Sequence, residues 1–371
     1  MKNYLLPEGG KFYKVNMHSH TVLSDGKQTP EELKQMYMDA GYSAIAFTEH
    51  RRFHNLNHLT DENFVAINSF ELDYNDSEKV PFCFYEGAPQ CFSHVECIHM
   101  NVYAKDPNRT TGVDVDDLKT GFTVENINKM IQRCKDEDFL VVYNHPHWSL
   151  NTYPLYSQLR GLDGIEIDNG ASSRSSDMDY APYVYDQMAC CGIRMTNVAG
   201  DDNHDKHHFF HAWTMVKAPA LTYADLIESI EKGNSYTSSG PEIKELFIEG
   251  DEVTIRSSEA AGVYYHTAGR AKACKLDESG QHQPITEATF KIDPMHLYFR
   301  ITVKDYSGNR LENAHMGGDY SNTINWADLV YKQYADETSD YYKGLIEFRK
   351  NHAALRCPGG GDAWGQSRFY K

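Results

Sequence analysis

Imidazole and carboxylate side chains recur in six short segments of this chain, at spacings that suit metal ligation. The segments are His18-Ser19-His20, Ser24-Asp25-Gly26, Thr48-Glu49-His50, Asn144-His145-Pro146, Gly164-Ile165-Glu166 and Asp202-Asn203-His204. Most of them follow a short apolar run that is typical of a β-strand, so their polar groups would emerge where strands end. Borderline and hard divalent metals bind mixed nitrogen and oxygen ligands of this kind. The pattern therefore indicates a metal-dependent hydrolase.

The elements that would position these segments alternate between short apolar runs and helix-like stretches from residue 11 to about residue 240. We predict strands at 12–16, 43–47, 65–72, 96–103, 139–143, 164–167 and 195–199. We predict helices at 124–134, 179–190 and 223–232, and one that begins after the N-cap Thr29, with Pro30 at its first position, and ends at Gly41. This βα rhythm predicts a parallel sheet covered by helices. A barrel is favoured over an open sheet, because barrels gather reactive groups at the carboxyl ends of several strands.

The pattern changes after the Ser-Ser-Gly-Pro segment at 238–241. Short strands separated by turns are predicted at 244–248, 252–257, 262–265, 288–292 and 297–303, which is typical of a small β-sandwich. We therefore predict three parts: a barrel over 1–240, a β-sandwich over 241–313, and a partly helical tail over 314–371. Within the tail, residues 322–327 and 341–352 resemble a piece of a pullulanase-type α-amylase-family enzyme, which predicts a non-catalytic remnant or fusion.

The bulk composition limits the classes of function. The chain has 371 residues with 40% hydrophobic and 12% aromatic side chains, which is enough for a large core and argues against global disorder. Its formal net charge of −17 gives no support for binding a nucleic-acid polymer. No run approaches the roughly 20 apolar residues of a membrane helix. The first ten residues lack the apolar core of a signal peptide, so we expect a cytoplasmic protein with no membrane partner.

The ordered motifs resemble the polymerase-and-histidinol-phosphatase (PHP) family of metal-dependent phosphoesterases. The likeness covers about residues 11–240 and joins His-x-His to Leu-Ser-Asp-Gly, Thr-Glu-His, Asn-His-Pro and Gly-Asp-Asp-Asn-His in order. It implies the fold of that family, an α/β protein with a distorted (β/α)7 TIM-like barrel. It also implies two or three divalent ions (Zn, Mn or Fe) held by His18, His20, Asp25, His50, Glu71, His99, His145, Asp202 and His204.

The resemblance distributes these ligands over three metal positions. The first is implied to have His18, His20, Glu71 and Asp202. The second shares Glu71 as a bridging carboxylate with His99 and His145, and the third has Asp25, His50 and His204. His94 and Glu96 stay open as rivals to the Glu71 and His99 assignments. Asp201 is a rival to Asp202, although the spacing to His204 favours Asp202.

The reaction that the resemblance implies is hydrolysis of a small-molecule or nucleotide phosphomonoester. Clustered cations would neutralise the phosphate and lower the pKa of a bound water from 15.7 toward ~7, so that a metal-activated hydroxide attacks phosphorus. We predict that Glu71, Asp202 and His204 take part in catalysis. Arg51, His147 and Arg174 are predicted to contact the substrate, since a guanidinium group suits phosphate. Partners for the ligand rings are expected at Glu49 and Asp168, with Glu166 forming hydrogen bonds at a strand end.

Two alternatives remain open from the sequence. An amidohydrolase-type barrel also begins with His-x-His but cleaves C–N or C–O bonds, and it would need a carboxylated lysine at a mid-chain strand end. Thr-Glu-His and the terminal Asp-x-His argue against that class. A non-catalytic binding protein with a vestigial barrel would retain no stoichiometric metal. Release of phosphate from para-nitrophenyl phosphate, without turnover of amides or lactones, would separate the two enzyme classes.

Overall fold

The computed structural model describes residues 2–76, 81–82, 91–92, 96–268, 273–293 and 296–316, and its helices and strands lie in these ranges. The strands are β1 Asn3–Tyr4, β2 Lys11–Asn16, β3 Ala44–Phe47, β4 Val65–Asn75, β5 Pro81–Phe82, β6 Cys91–Phe92, β7 Cys97–Ala104, β8 Phe139–Tyr143, β9 Gly164–Asn169, β10 Thr196–Gly200, β11 Trp213–Ala218, β12 Ser235–Ser238, β13 Ile243–Glu249, β14 Glu252–Ala260, β15 Gly262–Thr267, β16 Ala273–Leu276, β17 Ile285–Lys291, β18 Tyr298–Lys304 and β19 Arg310–Met316. The helices are α1 Pro30–Asp39, α2 Val124–Asp136, α3 Tyr153–Tyr156, α4 Gly170–Ser176, α5 Pro182–Cys190 and α6 Tyr223–Glu231, with short 3-10 turns at Asn57–Leu59 and Asp116–Leu118.

A large mixed sheet of 13 strands organises the α/β fold, in the order β10-β9-β8-β7-β4-β3-β2-β11-β12-β19-β18-β15-β16. Two parallel runs, β2-β3-β4 and β8-β9-β10, lie within it. Their carboxyl ends are where the predicted motifs fall. The strands and the longer helices predicted between residues 11 and 240 are confirmed to within a few residues, because their apolar runs are long enough to fix the element type.

β7 is the main departure from the predicted parallel pattern. It runs antiparallel to both β4 and β8, and His99 stands opposite Asp73 in the β4–β7 ladder. Because β7 is inverted, the start of this strand lies at the same edge of the sheet as the end of β4. His99, the third residue of β7, therefore reaches the same edge as Glu71 of β4 without standing at a strand's carboxyl end.

The sheet curls back on itself, but the described strands do not close into a barrel. Strand β10 returns to β2, where the Asp202 N–H donates to the His18 carbonyl at 2.9 Å. Ser19 and Asn203 add one isolated parallel bridge at this seam. The described residues form no continuous ladder between β10 and β2. The predicted TIM-like closure is therefore not confirmed.

Helices cover this curled sheet on its outer face. In α2 the buried residues Ile127, Met130, Ile131 and Cys134 fall three and four positions apart, which places them on one helix face. They pack in one apolar cluster with residues of β7, β8, β9 and α5. A second cluster joins α1 to β3 and β4, and a third joins α6 to β2, β8 and β11. The strand ends that carry polar side chains are thus held on a well-packed base.

Helix α1 begins as the sequence predicts. Thr29 is its N-cap and Pro30 is its first residue. The Thr29 hydroxyl accepts from the Glu32 N–H at 3.2 Å, and the Glu32 carboxylate accepts from the Thr29 N–H at 2.9 Å. This reciprocal capping box satisfies two N–H groups that have no partner inside the helix.

Replacing the cap with Thr29→Ala is expected to lower the free energy of unfolding by about 0.5–2 kcal/mol, because the Glu32 N–H loses its side-chain acceptor. Denaturant titration followed by circular dichroism measures the loss. Thr29→Ser retains the hydroxyl and should stay close to wild type. Equal losses in the two variants would contradict the role of the hydroxyl.

The C-terminal strands belong to two sheets. Strands β13, β14 and β17 form a four-stranded antiparallel sheet with β1, whereas β15, β16, β18 and β19 extend the large sheet through the β12–β19 pair. The predicted strands are present, but the separate sandwich is not confirmed, since each sheet includes a strand from the N-terminal half. The pullulanase-like segment lies outside the described residues. Within the described residues, no helix has the length and apolar character needed to cross a bilayer.

Candidate metal centre

Six imidazoles and three carboxylates converge at one edge of the curled sheet. They follow β2 and β3, lie within β4 and β7, and follow β8 and β10. Several groups of three or four have ligand atoms within 4.8 Å of one another. The groups are His20, Asp25, His50 and His204; His18, His145 and Asp202; His18, His20 and Glu71; and His50, Glu71 and His99. All nine side chains that the resemblance implies as ligands are therefore brought together.

Glu71 lies at the centre of this cluster and is 1% exposed. Its Oε1 is 3.1 Å from His99 Nδ1, 3.2 Å from His145 Nε2 and 3.4 Å from His18 Nε2. Its Oε2 is 3.0 Å from His50 Nδ1. One carboxylate that faces rings from four strands has the position of a bridging ligand.

The aspartates flank Glu71. Asp202 Oδ1 is 2.9 Å from His20 Nε2 and 3.4 Å from His18 Nε2. Asp25 Oδ2 is 3.2 Å from His204 Nε2 and 3.5 Å from His50 Nε2. The third predicted group, Asp25 with His50 and His204, is present and is joined by His20.

The rival residues occupy other positions. Asp201 is buried and points away from the cluster, where its carboxylate accepts from the Tyr37 hydroxyl at 2.6 Å and from the Phe210 N–H at 2.6 Å. Asp202 is thus the aspartate of the cluster. Glu96 accepts from Asn151 at 3.2 Å and belongs to none of the ligand groups. His94 lies outside the described residues.

The donor set fits divalent cations better than it fits a hydrogen-bonded network. Glu71 Oε2 and Asp202 Oδ1 are buried and make no hydrogen bond of acceptable geometry, although His50 Nδ1 lies 3.0 Å from the first and His20 Nε2 lies 2.9 Å from the second. A buried carboxylate oxygen without a partner is costly, and native proteins pair such atoms or use them to bind ions. Carboxylate oxygens and imidazole nitrogens that lie this close together without hydrogen bonds are the arrangement that a metal ion needs.

Several rings are held with one nitrogen turned toward the cluster. His18 Nδ1 lies 3.0 Å from Glu166 Oε1, and His204 Nδ1 lies 2.8 Å from the Asp202 carbonyl. His145 Nδ1 is 3.1 Å from the Ser149 hydroxyl. A partner at Nδ1 fixes the tautomer and leaves Nε2 free to bind a metal.

The predicted ring partners differ from the observed ones. Glu166, expected to form hydrogen bonds at a strand end, orients His18. Glu49 does not contact a ligand ring; its carboxylate accepts from the Thr21 hydroxyl at 2.6 Å and from the Ser24 hydroxyl at 2.5 Å, and so fixes the turn before Asp25. Asp168 lies 3.2 Å from His211 Nε2 rather than beside a ligand ring. Glu166 itself lies within β9 and not at its end, so its contact with His18 depends on how β9 is placed beside β2.

Charge in the cluster shifts the pKa of its members strongly. Burial alone would raise the pKa of Glu71, but His99, His18 and His145 hold it well below its usual value. Burial alone would lower the pKa of His99, but Glu71 raises it to about 10. Burial opposes the shift at His204 as well, where Asp25 and Asp202 raise the pKa to about 9. The carboxylates therefore favour positive charge on the neighbouring rings. Metal cations would supply that positive charge in place of protons.

The three predicted substrate-binding residues lie beside the cluster rather than in its cavity. That cavity has a volume of about 340 Å³, and its described lining contains none of the three. Arg51 pairs with Asp73 and lines a neighbouring cavity of about 490 Å³. His147 donates its backbone N–H to Asp179, and Arg174 Nε donates to His211 Nδ1 at 3.0 Å. Their contact with substrate stays a prediction.

Sequence reasoning missed two groups of site residues. Asn144 donates to Glu71 Oε1 at 2.8 Å, and Asn169 donates to Asp202 Oδ2 at 3.1 Å. Asn144 precedes a ligand histidine, and that neighbourhood was the available signal. The cavity wall also includes Trp148 and one face of α4.

Gly200 allows β10 to approach β2 beside the cluster. A Cβ at this position would lie 2.5 Å from both the Cβ and the backbone nitrogen of His18. Gly200→Ala is expected to lower the free energy of unfolding by about 1–3 kcal/mol, since a packed backbone must move. It should also reduce the metal content, because His18 and Asp202 are then displaced.

Unfolding curves and elemental analysis measure both effects of Gly200→Ala. Gly9→Ala is the matched control, because its Cβ would have no neighbour within 4 Å. Unchanged stability and metal content in Gly200→Ala would show that the two strands have room to separate.

No protein-family model and no curated protein matches the chain. Among solved structures, a two-domain protein containing a predicted PHP-like metal-dependent phosphoesterase from Bacteroides vulgatus is 14% identical with a TM-score of 0.42, over 85% of this chain and 99% of that one. A proposed metal-dependent phosphoesterase from Bifidobacterium adolescentis is 15% identical with a TM-score of 0.31, over 61% and 96%. An amidohydrolase from Chromobacterium violaceum, with bound sulfate and no metal, is 13% identical with a TM-score of 0.33, over 51% and 87%. None of the three is a pullulanase-type enzyme, and at these scores none bears on the activity of this chain.

Proposed function

We propose that the chain is a metal-dependent phosphoesterase that hydrolyses small phosphomonoesters at a centre of two or three divalent ions. The observation that carries the proposal is the convergence of six imidazoles on three carboxylates, two of which each have one buried oxygen without a hydrogen bond. Mixed nitrogen and oxygen ligands suit Zn²⁺, Mn²⁺ or Fe ions. Cations held there would neutralise phosphate oxygens and activate a water for attack on phosphorus.

The residues of the chain have distinct tasks in this proposal. Glu71 links the ligand groups, and Glu166 keeps His18 Nε2 turned toward them. Asp202 and His204 stand where the cluster meets the cavity, as expected for groups that contact the phosphate and its incoming water. The described cavity lining contains no lysine or arginine, so neutralisation of the phosphate falls to the cations.

The absence of a lysine from the described cavity lining also supports a phosphoesterase over an amidohydrolase of the carboxylated-lysine type. We further propose that residues 1–240 are a distorted form of the (β/α)7 barrel, supported by the return of β10 to β2. The β-sandwich over 241–313, the tail over 314–371 and the cytoplasmic location remain parts of the same proposal.

Elemental analysis of purified protein, combined with a phosphate-release screen, tests the function. We expect at least two equivalents of Zn, Mn or Fe per chain, and release of phosphate from para-nitrophenyl phosphate and from small phosphomonoesters. Removal of metal by a chelator should abolish turnover, and return of the metal should restore it. Turnover of amides or lactones without release of phosphate would instead assign the amidohydrolase class.

A further inference from the structure

One wall of the metal cavity carries an exposed aromatic side chain with no assigned task. Trp148 is 46% exposed and lines the cavity. Its ring meets the ring of His145 edge-to-face at 5.1 Å between centroids, and that of His99 at 5.5 Å. The exposed apolar surface of this indole is in contact with water, which is unfavourable. A ligand that covers it would bury that surface and so gain binding free energy.

The backbone that carries Trp148 is fixed before any ligand arrives. Asp179, which is 1% exposed, accepts the N–H of His147 at 2.7 Å and the N–H of Trp148 at 2.8 Å. The Ser149 N–H donates to the His145 carbonyl at 3.1 Å. A wall that is already ordered loses little conformational entropy when a ligand binds.

The rest of the wall is small and uncharged. Four small side chains of α4 line the cavity. They are two adjacent pairs one helical turn apart, which places them on one face of the helix: Ala171 and Ser172, and Ser175 and Ser176. His208 Nδ1 accepts the N–H groups of His204 and Asp205 at 3.1 and 3.2 Å, so its Nε2–H donates to the Ser175 hydroxyl at 2.8 Å. Such a wall leaves room beside the indole.

The charge of this wall limits the ligand further. Outside the metal ligands, the described lining residues are Trp148, His208 and the α4 side chains, with no lysine or arginine among them. The Nδ1 of His208 accepts two backbone N–H groups and therefore carries no proton, so the ring is neutral in this arrangement. A substrate with a second anionic group would find no partner for it on this wall.

We propose that the cavity selects phosphomonoesters whose leaving group carries an uncharged planar ring, and that this ring stacks on Trp148. This inference rests on the proposed phosphoesterase function and names its substrate class. The water oxygen forms the new P–O bond while the ester P–O bond breaks, and the leaving oxygen takes a proton from that water. The indole contacts two candidate ligand rings, so a ring stacked on it lies next to the phosphate. An aryl phosphate and a nucleoside monophosphate both offer such a ring.

The test compares esters with and without a ring, using the purified protein with its metals. The probes are phenyl phosphate, a nucleoside monophosphate and glycerol phosphate, and the readout is the ratio of kcat/KM for each ring ester to that for glycerol phosphate. Trp148→Ala is expected to lower this ratio by roughly 5- to 100-fold, the range by which loss of an aromatic platform weakens stacking. Trp148→Phe should keep the ratio within about threefold, since it retains a ring. Tyr183→Ala removes another exposed aromatic side chain, outside the described cavity lining, and should not change the ratio.

A binding measurement separates this inference from the proposed function. Calorimetry with phenylphosphonate and methylphosphonate, which are not hydrolysed, should show tighter binding of the phenyl compound in wild type and a loss of that preference in Trp148→Ala. An unchanged ratio and an unchanged preference in Trp148→Ala would overturn the inference while leaving the phosphoesterase intact. Failure of every ester to release phosphate would refute the function, whatever the phosphonates show. If Trp148→Ala lowers the ratio more for phenyl phosphate, the preferred substrate is an aryl phosphate. If it lowers the ratio more for the nucleoside monophosphate, the preferred substrate has a sugar between the phosphate and the ring.

Discussion

Glu71→Gln is expected to remove most of the bound metal and to lower phosphomonoester turnover by more than about 100-fold, in a protein that still folds. Replacing a residue that only orients a ligand typically costs 10- to 100-fold in metal affinity or activity, so loss of a shared ligand should exceed that range. Glutamine keeps the shape of glutamate but loses its charge, and an amide NH₂ would face imidazole nitrogens. Elemental analysis, phosphate release and circular dichroism measure the three outcomes.

Two matched substitutions give this prediction its scale. Glu166→Gln changes a buried glutamate that lies beside His18 Nδ1 and accepts from the His145 N–H and the Asn169 amide, but that belongs to none of the candidate ligand groups. We expect its effect to fall within the 10- to 100-fold range. Glu228→Gln changes a surface glutamate paired with Lys232 and should leave activity and metal content unchanged. If Glu71→Gln and Glu166→Gln were equally mild, Glu71 would not be a ligand, and the assignment of the centre would fail.

The candidate ligands at strand ends could be predicted from the sequence, because His-x-His or Asp-x-His after an apolar run is a local pattern. His18, His20, Asp202 and His204 are of this kind. Glu71 and His99 lie inside long strands, where no local signal separates a ligand from a core residue. Their assignment depended on the resemblance, and the structure places both in the cluster.

Other features depend on long-range contacts and could not be predicted. The inversion of β7 follows from its pairing with β4 and β8, which its own sequence does not encode. Asp202 adopts a left-handed backbone with φ of 49°, a conformation that few non-glycine residues take and that turns its carboxylate toward β2. Trp148 stands beside the rings of His145 and His99 only because β7 pairs antiparallel with β8, which brings the start of β7 next to the end of β8.

The second large effect is expected outside the candidate metal cluster. Arg300→Met should lower the free energy of unfolding by about 3–5 kcal/mol, because it leaves two buried or half-buried carboxylates without their partner. Arg300 is 3% exposed, and its guanidinium donates to both carboxylate oxygens of Asp186 at 2.9 and 2.8 Å. It also donates to Glu312 at 2.5 Å. Arg300 therefore connects β18, which carries it, to α5 through Asp186 and to β19 through Glu312.

A surface arginine in the four-stranded sheet serves as the control that decides whether burial is the cause of this loss. Arg256 also bridges two glutamates, Glu245 at 2.7 Å and Glu287 at 2.5 Å, but its side chain is 43% exposed. Arg256→Met is expected to cost only about 0–1 kcal/mol, since water replaces the lost partner. Chemical denaturation of both variants measures the difference.

Adding Glu312→Gln to Arg300→Met should recover part of the loss, because one unpaired charge is then removed. Equal costs for the two arginines would mean that water reaches the buried site, and that the joint between the C-terminal strands and α5 does not depend on this charge network.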